Sequence, residues 1–139
     1  LILPNLGGIT QTIRLSLRDA SIPAEAVDLV SAHATATKMG DVIEAQAIHG
    51  VYGGRPRVTA LKSYMGHTMA SCGVIETILV LYMMAEGFIA PTLNLDGVDE
   101  RCGMIRHVRK PEERDVRIAT IQNFAFGGVN TGLVIRKFE

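Results

Sequence analysis

The chain has 139 residues, 47% of them hydrophobic, and a mean hydropathy of +0.23, enough for one core that buries roughly two thirds of the unfolded surface. A single domain over 1–139 is therefore expected. Fourteen Lys and Arg balance fourteen Asp and Glu, and no basic cluster is backed by aromatics that could stack on bases, so no nucleic-acid partner is expected.

Elements follow from hydrophobic period and turn chemistry. Leu1-Ile2-Leu3-Pro4-Asn5 lacks the basic region and long apolar stretch of a signal peptide. Ile9, Ile13, Leu15, Leu17 and Ala20 lie on a helical period closed by Ser21-Ile22-Pro23, which predicts an amphipathic helix over 8–20. A strand follows at 27–32. Asp41 stands as N-cap of a helix that ends near Gly50 to Gly54, and a second strand spans 57–62. Gly73 opens a run that is apolar on nearly every face until Gly87 stops it, the pattern of a central helix buried on most sides. Pro91 and Asn94-Leu95-Asp96-Gly97 form a loop, 104–108 a short strand, and 116–123 and 130–138 two more, joined by a turn at Phe126-Gly127-Gly128-Val129.

The order is alternating α/β with an antiparallel terminal pair, hence a mixed sheet with helices packed on it. The longest apolar run, Ile78 to Ala85, is too short to cross a bilayer, and a cytoplasmic location without membrane association fits. Cys72 and Cys102 are neither in a CxxC pair nor at zinc-ligand spacing, so neither a disulfide framework nor a metal site is expected. The first residue is not methionine and a helical pattern begins almost at once. The chain is thus expected to be a segment of something larger.

Chemistry concentrates in two strand-to-helix loops, where polar catalytic groups commonly collect. The first is His33-Ala34-Thr35-Ala36-Thr37, in which hydroxyls alternate with small side chains, so a polar ligand would meet two hydroxyls and a closely approaching backbone. The second is Lys62-Ser63-Tyr64-Met65-Gly66-His67. Glu76 lies further on, inside the apolar helix, where a carboxylate costs several kcal/mol unless paired; Lys62 is the obvious partner. The alternative is a solvated Lys62 with Glu76 on an exposed helix face, and a loop histidine serves structure as readily as catalysis. Nothing near these loops resembles an activated nucleophile. The constellation reads as half of an active site.

His33-Ala-Thr-Ala-Thr with Gly40-Asp41 and Glu44-Ala45-Gln46-Ala47, Lys62-Ser-x-x-Gly-His67 with Gly73, Pro91-Thr92-Leu93-Asn94-Leu95, and Phe124-Ala-Phe126-Gly-Gly-Val-Asn130 occur in the order and approximate spacing of β-ketoacyl-acyl carrier protein synthases. From about residue 8 to its end the chain resembles their C-terminal half, most closely the elongating synthases of type II fatty acid synthesis, with related polyketide ketosynthases carrying similar motifs. The resemblance implies half of a thiolase-like fold. It also implies decarboxylative condensation of malonyl carrier protein with an acyl group held on a cysteine. That cysteine belongs to an N-terminal half this chain lacks, so the segment would be inactive alone.

The same resemblance implies roles for residues. His33 and His67 would hydrogen-bond the malonyl thioester oxygen, each donating from Nε2. Lys62, paired with Glu76, would hold the histidine loops and tune their electrostatics. Thr35 and Thr37 would bind the phosphopantetheine arm, which carries the substrates so that no separate cofactor is needed. Phe124 belongs to the substrate-binding set. Phe126 would give an oxyanion N–H and a gating ring, its alternative being a buried aromatic beside a turn. The implied partners are acyl carrier protein, the missing N-terminal half and, in the full-length protein, a second copy in a homodimer.

Departures occur at Ala34, Ala36 and Ala125, where most relatives have glycine, and at Gln122-Asn123, where Asn-Ser is usual. A methyl at positive φ would be strained. Cys72, although near a helix start, falls at a small-residue packing position, and Cys102, His49 and His107 have no motif around them. Two other readings compete with the enzyme. One is a non-catalytic partner of the chain-length-factor type; the other is a free-standing ligand-binding module, which an apolar helix wanting more cover disfavours.

Overall fold

The computed structural model describes residues 4–138, apart from the side chain of Phe126. Asn5 accepts the Gly8 N–H at 3.1 Å and so caps α1 (Leu6–Asp19), which buries Ile9, Ile13 and Leu17 along one stripe. In chain order there follow β1 (Leu29–Ser31), α2 (Gly40–Tyr52), β2 (Arg57–Thr59), the one-turn α3 (Lys62–Met65), α4 (Cys72–Glu86), β3 (Phe88–Ile89), β4 (Arg106–His107), β5 (Glu112–Glu113), β6 (Ile118–Phe124) and β7 (Asn130–Arg136).

Five strands form one sheet in the order β4-β2-β1-β6-β7. β1 lies at its centre, parallel to β2 and β6; β4 extends it parallel to β2, and β7 returns antiparallel to β6. Every residue of β1 is buried, the reason it reads as a continuous apolar run. Its side chains alternate: Val30 packs with Ile9, Ile13, Ile48 and Tyr52 of α1 and α2, whereas Leu29 joins Val80, Met83 and Met84 of α4. The sheet is therefore covered by α1 and α2 on one face and by α4 on the other, as the alternating α/β order predicts. The loops leaving β1 and β2 open at the same end.

Several expected elements differ. The strands are shorter, 29–31 rather than 27–32 and 57–59 rather than 57–62, because Ser63 and Tyr64 turn their N–H groups back to Ala60 and Leu61 and start α3 at Lys62. The strand expected at 104–108 is only Arg106–His107. Asp41 is not the N-cap of α2. That place belongs to Met39, and Asp41 sits in the first turn, where an acidic residue complements the helix dipole. The pair β3–β5, in register Phe88↔Glu113 and Ile89↔Glu112, is too short to leave a periodic signal.

The central helix is buried on one side only. Cys72, Glu76, Val80, Met83 and Met84 face inward while Val74, Ile78, Leu81 and Tyr82 are exposed. With the turn before it the helical run spans Met69–Glu86, long and apolar enough by length and composition to cross a membrane. The buried Glu76 lies in the middle of that run and Glu86 is its last residue. It ends where expected, at Gly87, whose φ of 73° closes the helix.

Candidate active site

The loop after β1 is held from beneath by a buried carboxylate. Glu44 is 4% exposed; its Oε1 accepts the His33 N–H at 2.7 Å and its Oε2 the Ala34 N–H at 2.8 Å. These bonds fix a strained path, since Ala34 and Ala36 have φ of 34° and 59°. Left-handed backbone costs an L-residue about 1–2 kcal/mol. Of the three alanines weighed for a strained methyl, Ala34 and Ala36 do sit at positive φ. Ala125, with φ −108°, does not. At Gly40 a Cβ would collide with the Thr37 hydroxyl, so glycine there is what lets Thr37 keep its place.

The second loop leaves α3 through Gly66, whose φ of 71° turns the chain into His67. Lys62 Nζ lies 2.6 Å from Glu76 Oε1, both side chains almost fully buried. Asn123 of β6 completes the group. Its Nδ2 donates to Glu76 Oε2 at 2.9 Å, while its Oδ1 faces Lys62 Nζ at 3.4 Å and His33 Nδ1 at 3.2 Å. The His33 and His67 rings stand edge to face with centroids 5.5 Å apart, and the Phe124 ring lies 5.7 Å from His33.

Hydrogen-bond chemistry assigns the two tautomers. His67 Nδ1 accepts the Met69 N–H at 3.0 Å, so a neutral His67 carries its proton on Nε2. For Asn123 only one amide orientation is consistent, because the reverse would set an oxygen against the Glu76 carboxylate and an NH2 against the Lys62 ammonium. The oxygen therefore faces His33 Nδ1. The contacts of His67 fit the Nε2 donation that the resemblance implied, whereas an amide oxygen at His33 Nδ1 favours the other tautomer of that ring.

His33, Lys62, His67 and Glu76 are thus brought together from the loop after β1, from α3 and the loop beyond it, and from α4. Thr35 and Thr37, with hydroxyls 3.4 Å apart, line a cavity of about 700 Å3 that Lys62 and His67 also line, and which His33 does not. The gating ring of Phe126 lies outside the described residues; its backbone belongs to the turn between β6 and β7. Cys72 is buried, its Sγ 3.5 Å from His67 Nδ1 and accepting the Thr68 N–H at 3.3 Å. His49 Nδ1 and His107 Nε2 bond the carbonyls of Met104 and Cys102. The loop-holding work of Glu44 and the bridging work of Asn123 carried no local signal, beyond one motif that contains Glu44 and one departure that contains Asn123.

Burial raises Glu44 from the usual 4.5 to about 7, against the pull of its two backbone N–H bonds. Burial, then the Lys62 charge, lowers His33 from 6.5 to about 4. The native state keeps a proton on Glu44 that the unfolded chain has released, so this group's share of stability falls as pH rises from about 4.5 to about 7. His33 has lost a proton that the unfolded chain still binds, so its share rises from about pH 4 to about 6.5. The two oppose each other where they overlap, His33 more weakly because its ring is partly solvated. In His33→Asn the Glu44 slope is left alone, and thermal denaturation across about pH 5–7 should show stability falling with pH more steeply than in the unmodified chain. An unchanged slope contradicts the opposition.

Residues 1–96 match the family described as the β-ketoacyl synthase C-terminal domain. The whole chain is 32% identical to part of 3-oxoacyl-[acyl-carrier-protein] synthase 1 of Escherichia coli strain K12, of which it covers 34%. Among solved structures, a β-ketoacyl synthase from Burkholderia phymatum STM815 superposes with a TM-score of 0.94 at 39% identity, covering 98% of this chain and 34% of that one. The ishigamide ketosynthase/chain length factor gives 0.94 at 38%, covering 99% and 34%. The chain thus spans about a third of the length of these relatives. Its fold is the C-terminal half of a thiolase-like fold.

Proposed function

The chain belongs to the β-ketoacyl synthase C-terminal domain family, and on that premise we propose that it supplies the His/His/Lys half of a decarboxylating 3-oxoacyl-carrier protein synthase in fatty acid or polyketide synthesis. The observation that carries this reading is the edge-to-face approach of His33 and His67 beside the buried Lys62–Glu76 pair. In the reaction the bond from malonyl Cα to its carboxylate breaks, CO2 leaves, and the electron pair spreads from Cα onto the thioester oxygen. Cα then attacks the acyl thioester held on a cysteine outside this segment, and the cysteine departs as thiolate.

Negative charge on the thioester oxygen calls for a donor already in place. His67 meets that need with Nε2–H, its other nitrogen being tied to the Met69 N–H. Thr35 and Thr37, on the cavity wall, would bond the phosphopantetheine arm of the acyl carrier protein. The Phe126 N–H would be an oxyanion donor and its ring a gate. No further cofactor enters this scheme, and the setting is a cytosolic homodimer in which the second half of the site lies elsewhere in the protein.

The likeness to a ketosynthase/chain length factor favours one second reading, a non-catalytic partner subunit that shapes an acyl tunnel. The complete protein given malonyl-loaded carrier protein decides between them. Release of CO2 and transfer of the acyl group from the enzyme's cysteine to the two-carbon unit left on the carrier protein supports the enzyme. No condensation, with a residue other than cysteine at the nucleophile's place, supports the partner.

A further inference from the structure

Asn123 touches every charged or tautomeric group that the proposed chemistry uses in this segment except His67. Its amide has two ends in unlike surroundings, and chemistry fixes which is which: Nδ2 is committed to Glu76 Oε2, leaving Oδ1 for Lys62 and His33. An amide oxygen has two lone pairs and no proton, so the ring nitrogen facing it must be the one that donates. A hydroxyl of serine length at this position could serve as donor or acceptor, and so would not dictate the answer.

We propose that Asn123 is a positioning residue that holds neutral His33 in its Nδ1–H form and so leaves Nε2 of that ring a hydrogen-bond acceptor. The pair is then unlike by construction. His67, fixed through Nδ1 by the Met69 N–H, donates; His33, fixed through Nδ1 by Asn123, accepts. Donation to a developing oxyanion falls to the Nε2–H of His67, while His33 is suited to receive a proton or a hydrogen bond from a group on the substrate side. Burial, then the charge of Lys62, keeps that ring neutral against the opposing pull of the Asn123 bond. The catalytic meaning of this division rests on the proposed function. The tautomer itself does not.

The test uses the complete synthase with 15N-labelled histidine, read by ring-nitrogen chemical shifts without substrate and by malonyl decarboxylation with it. The unmodified protein should show His33 protonated on Nδ1 and His67 on Nε2. In Asn123→Leu, which offers no acceptor, His33 should shift towards Nε2–H while His67 stays as it was. Decarboxylation kcat should fall at least about tenfold with KM within about twofold. Asn123→Ser, whose hydroxyl can still bond Glu76, gives the same reading if the leucine variant fails to fold, with a smaller shift because serine leaves the tautomer undetermined. The proposal is overturned if His33 carries its proton on Nε2 in the unmodified protein. It is equally overturned if a folded variant changes turnover without changing the tautomer, or the tautomer without changing turnover. A complete synthase that releases no CO2 from malonyl thioester rejects the proposed function, and the substrate-free spectra still judge the tautomer.

Discussion

If the complete protein is the proposed synthase, His67→Ala should lower malonyl decarboxylation by a hundredfold or more while acyl loading survives. On the proposed function the ring's Nε2–H would be the preorganised donor for the thioester oxygen, and losing one such donor typically costs about 3 kcal/mol of barrier. On the same proposal loading would use a cysteine outside this segment and a separate oxyanion site, which makes it the internal control. His67→Asn keeps an amide N–H donor and should recover part of the loss. His33→Ala should also depress decarboxylation sharply and spare loading. Equal loss of both partial reactions in either variant contradicts the assignment. CO2 release from malonyl carrier protein and acyl transfer to the enzyme, measured separately, give the two numbers.

Local chemistry made much of this legible in the sequence. The period of α1, the apolar run of β1, the Gly87 stop of α4 and the antiparallel return of β7 each follow from residues within one element. The two histidine loops stood out because small and hydroxylated residues cluster there. What escaped depends on contacts distant in sequence. His33 meets Asn123 across 90 positions, and Lys62 meets it across 61, so no window on the chain could disclose that one amide orients a ring and an ion pair together. Asp41 failed as a cap for a different reason. An acidic residue before an apolar run fits the first turn as well as the cap, and Gly40 lets the helix begin one residue earlier. The apolar helix was expected to want more cover than the chain provides, and α4 does leave an apolar face open; which side that is escaped because its exposed residues are as apolar as its buried ones. Hydrophobic pattern alone cannot say which side the sheet will cover.

Breaking the ion pair at the centre should unfold before it merely inactivates. Lys62 and Glu76 side chains are 4% and 0% exposed and 2.6 Å apart, and Asn123 Nδ2 is the other hydrogen-bond donor to the Glu76 carboxylate among the described contacts. Lys62→Met preserves length and removes the cation, leaving a buried carboxylate with one amide partner. Removing one member of such a pair typically costs about 3–5 kcal/mol. A loss of that size is a large fraction of an ordinary domain's stability, so the melting temperature should fall sharply. Lys62→Met combined with Glu76→Met takes away both charges and should regain most of the loss, because two well-packed apolar side chains avoid the desolvation that the pair had to offset. The rescued protein would remain a poor enzyme. Asn123 would have lost the carboxylate that orients its amide, and the His loops the cation beside them. Chemical denaturation of the single and double variants, with decarboxylation rates on whichever fold, separates these effects. A single variant as stable as the unmodified protein would mean the pair is solvated rather than buried. A double variant with full decarboxylation would mean that the ion pair serves the fold alone.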